Sequence, residues 1–195
     1  MTINETTAAA TRSVEDHVVP AAGTWRVDPG HTSVEFIGRH FMLTKVRGRF
    51  NGVEGTVQIG EDPRDSALTV TIDMDSVTSG SAERDAHLRS ADFFDVEQHP
   101  TATYQSSRVD WHGGDRATVH GELTIVGVTR HVMLEVQFVG GTPDPWGNVR
   151  TVFSAKAEID REDWGLTWNL ALETGGILVS KKIQLEIESE LILDA

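Results

Sequence analysis

Eight histidines, thirty Asp and Glu residues and no cysteine define the chemistry open to this chain. Histidine and carboxylate can ligate a metal, but a zinc site needs three or four donors converging, commonly from short spacings. His31 and His40 stand nine positions apart, with no His-x-His or His-x3-His pair beside them. Asp28 can meet His31 within a turn, and His120 can meet His131 across a hairpin at Gly127 on its polar face. Surface pairs account for both, so no metal site is expected. The lack of cysteine removes thiolate catalysis, disulfides, iron–sulfur clusters and Cys-based zinc. No Gly-x-Ser-x-Gly elbow and no Gly-rich phosphate loop after a strand is present. Ser106 and Ser107 have no evident partner base, and the acidic pairs fall on the wet faces of strands. No catalytic residue and no cofactor is expected.

Three charged groups remain as candidates for contact with a ligand's polar head. His31 opens a strand, where it either touches a head group or stabilises a turn. Arg84 and Asp85, with His87 close by, lie on the one segment that reads as helix. They either face a head group at a cavity mouth or form an ion pair that fixes the helix. Arg161 and Asp163 carry the same two readings at a strand end.

The elements that must position these groups are strands. Leu68, Val70, Ile72 and Met74 alternate with Thr69, Thr71, Asp73 and Asp75. The same period of two runs through Val119–Ile125, Val132–Phe138, Phe153–Ile159 and Ile183–Leu191. Each run has one apolar and one polar face, as in antiparallel sheets covered on one side. Further strands are expected over 33–39, 47–59 and 102–111, separated by turn signals such as Asp28-Pro29-Gly30, Gly113-Gly114 and Gly140-Gly141. Ser81 can cap a helix over Ala82 to Ser90, with Leu88, Phe93 and Phe94 plugging it onto the sheet. Trp164, Leu166 and Trp168 cluster around Gly165, as a lid at a barrel mouth or as packing in a hairpin or dimer. About eight strands with short connections indicate a sandwich or a barrel. The last strand, Ile183 to Leu193, would span roughly 35 Å. An eight-stranded barrel is just wide enough to be filled by side chains or to hold one small ligand.

With 195 residues, 17 Lys and Arg against 30 Asp and Glu, the formal charge is −13. The length fits one domain that buries about 70% of its unfolded surface. Residues 1–22, small, polar and acidic, read as a flexible N-terminal arm, and 23–195 as the barrel domain. The charge opposes nucleic-acid binding and adhesion to anionic membranes. No apolar run is long enough for a transmembrane helix. No basic, apolar leader opens the chain, so the cytoplasm is the expected location.

Several motifs resemble the YceI family, in that family's order. They are Trp25-Arg-Val-Asp-Pro-Gly-His31-Thr-Ser-Val-Glu-Phe36, Val46-Arg-Gly-Arg-Phe50, and the stretch from Ser76 through Arg84-Asp85-Ala-His87-Leu88 to Phe93-Phe94-Asp95. His99-Pro100 with Tyr104 and Ser106, Gly121-Glu-Leu-Thr through Gly127-Val-Thr129, and Arg161-Glu-Asp163-Trp164-Gly165 complete the set, from about Thr24 to Leu193. The resemblance implies an all-β fold: an extended eight-stranded antiparallel lipocalin-like β-barrel with one short helix, usually dimeric, around an apolar tunnel. It implies non-catalytic binding, storage or transport of a long-chain isoprenoid or other amphiphilic lipid, such as a polyisoprenoid or an isoprenoid quinone. A homodimer is the expected assembly. In such a tunnel Val34, Phe36, Phe50, Leu68, Val70, Ile72, Tyr104, Leu123, Ile125, Phe153, Ile159, Trp168, Ile183 and Leu185 would touch the ligand. Two other functions compete: an enzyme acting on a small apolar substrate inside the barrel, and a ligand-free stress or interaction module with a filled core.

Overall fold

Period-two alternation commits a chain to strands with one buried face, and twelve strands follow from it here. The computed structural model describes residues 9–170 and 178–194. In chain order the elements are β1 (Thr11–Val14), β2 (His17–Pro20), β3 (Gly23–His40), β4 (Thr44–Phe50), β5 (Val53–Ile59), β6 (Ala67–Asp73), β7 (Val77–Thr78), α1 (Ala82–Arg89), β8 (Thr101–Trp111), β9 (Arg116–Ile125), β10 (Val128–Pro143), β11 (Val149–Asp160) and β12 (Lys182–Leu193). Eight of them close an antiparallel barrel in the order β3-β12-β11-β10-β9-β8-β6-β5, with β5 returning to β3. The short strands β4 and β7 extend the sheet beside the upper half of β3.

The registers put the apolar faces inward as the alternation requires. Along β9, Val119, Gly121 and Leu123 are buried, and along β10 so are Val132, Leu134 and Phe138. Between them His131, Met133, Glu135 and Gln137 face solvent. Two glycines admit large rings to the interior. A Cβ on Gly121 would lie 2.5 Å from the Tyr104 ring, and one on Gly48 would lie 2.2 Å from the Phe36 ring. Only glycine leaves that space.

Three features differ from the sequence-based expectation. The run expected as one strand over 47–59 is β4 and β5, broken at Asn51–Gly52. There the Ser76 hydroxyl oxygen accepts from both backbone N–H groups, at 3.2 and 2.9 Å. Second, β3 carries a four-residue bulge. Thr32 faces Ser189 and Val27 faces Leu191, so Asp28–His31 loop outward opposite Glu190. The bulge reverses parity: Trp25 and Val27 point inward before it, and Thr32 and Val34 after it.

Third, residues 11–20 are not a flexible arm. β1 and β2 pair as a hairpin through Glu15 and Asp16, whose positive φ of 48° and 66° suit a tight two-residue turn. Ala10 and Val19 are buried. Arg12 donates to the Gly60 carbonyl at 2.6 Å, and the His17 ring meets the edge of Trp111. The hairpin closes one end of the barrel, called here the lower end. Ser81 caps α1 as expected, and Leu88 and Phe94 pack α1 and the loop after it against the core at the upper end.

Candidate tunnel and its mouth

The inward faces enclose two contiguous cavities. The lower chamber is about 220 Å³ and the upper about 640 Å³. Val34, Ile72, Leu123 and Leu185, from β3, β6, β9 and β12, line both and form the waist between them. Leu68, Val70, Tyr104 and Phe153 line the lower chamber, which β2 floors with Val19 and Pro20. Phe36, Phe50, Ile125, Ile159, Trp168 and Ile183 line the upper one. All fourteen residues expected at a ligand therefore border this interior.

The head-group candidates separate. Arg84 lines the upper chamber, where its guanidinium donates to the Ser79 hydroxyl at 2.7 Å and the Ser79 carbonyl at 2.9 Å. Asp85 does not line it. It is buried and accepts from the Ser79 backbone N–H at 2.7 Å and from the Ser79 hydroxyl, which lowers its pKa. Its role is to fix the start of α1. His31 is also away from the interior, exposed in the β3 bulge with Nδ1 3.0 Å from Asp28. The even-residue bulge that returns Thr32 to the inside leaves His31 outside.

That bulge meets a charge cluster. Arg150 donates to Asp28 at 2.7 Å, to Asp144 at 2.7 Å and to Glu190. The Arg150 hydrogen bond is the main reason the Asp28 pKa falls to about 2. Asp28, His31 and Glu190 are close enough to share a cation, with ligand atoms within 4.8 Å of one another. The Arg150 guanidinium already bonds both carboxylates and would repel a metal ion placed between them, so the donor set does not fit one. His120 and His131 stack on the outside, paired with Asp110 at 2.9 Å and Glu122 at 3.2 Å.

Two buried titratable groups that line the interior, Tyr104 and Arg161, donate to backbone carbonyls. The Tyr104 hydroxyl sits between the carbonyls of Val119 and Val132, at 3.1 and 3.0 Å. Burial pushes its pKa up, so it is neither acid nor base near neutrality. Arg161 follows β11 in a single 3-10 turn that the Asp160 carboxylate caps and Gly165 ends, with φ of 79°. It is buried and donates to the carbonyls of Ser180, at 3.0 Å, and Leu166. Burial lowers its pKa, and one terminal nitrogen has no partner among the described residues.

The Trp164 indole donates to the Leu123 carbonyl at 3.1 Å, so this residue is core packing. Trp168 is different: it stands against His87 and Phe93 at the upper mouth, with ring centroids 4.5 and 5.4 Å apart. His87 is in turn 2.9 Å from Asp92. Sequence reasoning passed over Arg39 and weighed His40 only as a metal ligand, yet both line the mouth. Their polar types on a strand end read as ordinary surface.

The chain and its fold also have known counterparts. A family model described as the YceI-like domain matches residues 25–191. A UPF0312 protein of Pectobacterium atrosepticum is 40% identical over 141 residues, covering 72% of this chain and 73% of that protein. Burkholderia cenocepacia BcnA is similar in fold, with a TM-score of 0.74, 22% identity, and coverage of 84% of this chain and 98% of its own. A polyisoprenoid binding domain from Saccharophagus degradans is also similar, with a TM-score of 0.64, 16% identity, and coverage of 87% and 98%. With motifs, barrel and matched span in agreement, the chain belongs to the YceI-like family.

Proposed function

We propose that this protein is a non-catalytic carrier or store for a long-chain amphiphile of the isoprenoid type. The observation that carries the reading is the apolar interior running from the upper mouth, past the waist, to the hairpin-floored chamber. Each CH₂ taken from water into such a wall contributes about 0.8 kcal/mol, so a prenyl tail binds tightly with few polar contacts. The polyisoprenoid binding of a structural relative supports the ligand class. The tail lies in the lower chamber and the head group at the upper mouth, where Arg39, His40, Arg84 and His87 gather. An enzymatic role gains little from the two buried polar groups of the interior, since the Tyr104 hydroxyl and two Arg161 nitrogens are engaged with backbone carbonyls.

The test is uptake. Protein stripped of lipid is mixed with a polyprenol, re-isolated, extracted into organic solvent and analysed by mass spectrometry. Near-equimolar recovery of the polyprenol supports carriage. No recovery, together with no long-chain molecule in protein taken directly from cells, would leave the ligand-free module as the better account.

A further inference from the structure

Net charge of −13 argues against contact with a lipid surface, but the charge is unevenly placed. From Phe36 to Val53 there is no acidic residue, and that stretch contains the β3–β4 turn. At its tip Phe41 and Met42 take positive φ, 52° and 59°, a conformation that non-glycine residues seldom adopt. The turn presents its side chains outward: Phe41 is 46% exposed, Met42 50% and Leu43 80%. Leu170, 54% exposed, joins them. The Phe41 N–H donates to the Leu178 carbonyl at 2.9 Å, and the Leu178 N–H to the Leu170 carbonyl at 3.1 Å. These four residues therefore form one apolar rim, and His40 and Leu178 beside them line the upper chamber.

We propose that this rim docks on a lipid bilayer and places the tunnel mouth at the membrane surface, where a hydrophobic cargo can pass without crossing water. The proposal rests on the carrier reading. Two cations flank the rim as a cross-strand pair, Arg39 beside Lys45, and neither is in an ion pair among the described residues. Among the described residues three carboxylates nearby are occupied, Glu35 and Glu186 by Arg47 at 3.9 and 3.5 Å and Glu162 by Lys181 at 2.7 Å, while Glu83 on α1 lines the upper chamber without an ion pair. Charges are screened over about 10 Å at moderate salt, whereas β12 runs about 40 Å along the barrel. A bilayer meeting the rim feels the local charge rather than the net charge, and Arg39 and Lys45 are the charges on the strands that carry the apolar tip. Exposed apolar side chains flanked by basic ones are the composition of interfacial anchors.

The full chain is sedimented with vesicles of phosphatidylcholine alone and of phosphatidylcholine mixed with phosphatidylglycerol. Binding to both is expected, stronger with phosphatidylglycerol and weakened by salt. Leu43→Asp is expected to lower partitioning about tenfold, the loss of a large apolar anchor to a charge at an interface. Lys45→Glu is expected to remove the phosphatidylglycerol preference alone. Trp146→Asp, 83% exposed in the β10–β11 turn at the lower end, is expected to change nothing. The proposal is overturned if wild-type protein sediments with neither vesicle, or if Leu43→Asp binds like wild type. It is equally overturned if Leu43→Asp splits a dimer while vesicles are ignored, which would assign the rim to a second copy. Leu43 lies outside both chambers, so Leu43→Asp retains uptake of detergent-dispersed polyprenol if carriage is right. Loss of uptake by wild type sinks the carrier reading, and loss of sedimentation alone sinks the docking.

Discussion

The two ends of the barrel are built on opposite principles. The lower end is closed by pairing and charge. A hairpin floors the chamber, and Arg150 ties the β3 bulge, the β10–β11 turn and β12 together through three carboxylates. The upper end has a wider chamber, rimmed by aromatic rings and by a turn whose apolar residues are in water. Burying a Val or exposing a Leu each has a definite sign in stability. On the carrier reading the two ends have different jobs: the lower end holds the fold, and the upper end exchanges cargo.

Filling the waist gives the largest expected effect. Leu185→Phe narrows the passage between chambers, so a tail that reached the lower chamber must stop above it. Returning a single five-carbon unit to water costs about 4 kcal/mol, and affinity for long polyprenols should fall far more than for short ones. A titration by intrinsic tryptophan fluorescence against chain length measures this. An equal loss at all lengths would show that the tail never passes the waist.

Next in size is the floor. Val19→Ala removes buried methyl groups of β2 and should lower stability by about 2 kcal/mol in denaturant unfolding. If Val19→Ala unfolds like wild type, the hairpin is an ornament and the contrast between ends weakens. Tyr104→Phe, inside the lower chamber, removes the hydroxyl between two carbonyls and should cost about 1 kcal/mol while leaving polyprenol uptake intact.

The last effect is electrostatic and confined to acid. The folded Asp28 pKa, about 2, lies below its ordinary 3.8. Its contribution is therefore present above pH 4 and is lost as the pH falls toward 2. Arg150→Gln should return Asp28 toward its ordinary value, reduce stability at neutral pH and flatten its decline between pH 4 and 2. Acid titration followed by circular dichroism checks this, and Lys181→Gln at the other end should leave that window unchanged.

Much of the barrel was legible because alternation is a local signal with a global cause. Val132, Leu134 and Phe138 point inward for the same reason that Glu135 and Gln137 do not. Every expected tunnel residue lies on such a strand or beside the aromatic cluster at Trp168. What escaped depends on partners distant in sequence. The hairpin turns at Glu15-Asp16, residues that carry no glycine signal, and Val19 is buried only because the barrel offers a chamber to floor. The β3 bulge is held by Arg150, 122 positions away from Asp28, and it alone decides that His31 faces out. Asp85 looked like a ligand group because its bond to Ser79 cannot be read from spacing.

The central claim is an interior occupied by one long apolar tail. It is tested most directly by a crystal structure of protein prepared without delipidation, examined for density along the barrel axis. The account expects continuous, tube-like density from the mouth at Arg84 and His87, through the ring of Val34, Ile72, Leu123 and Leu185, to the hairpin floor. A lower chamber collapsed onto its own side chains, or one holding only separate water peaks, would contradict it.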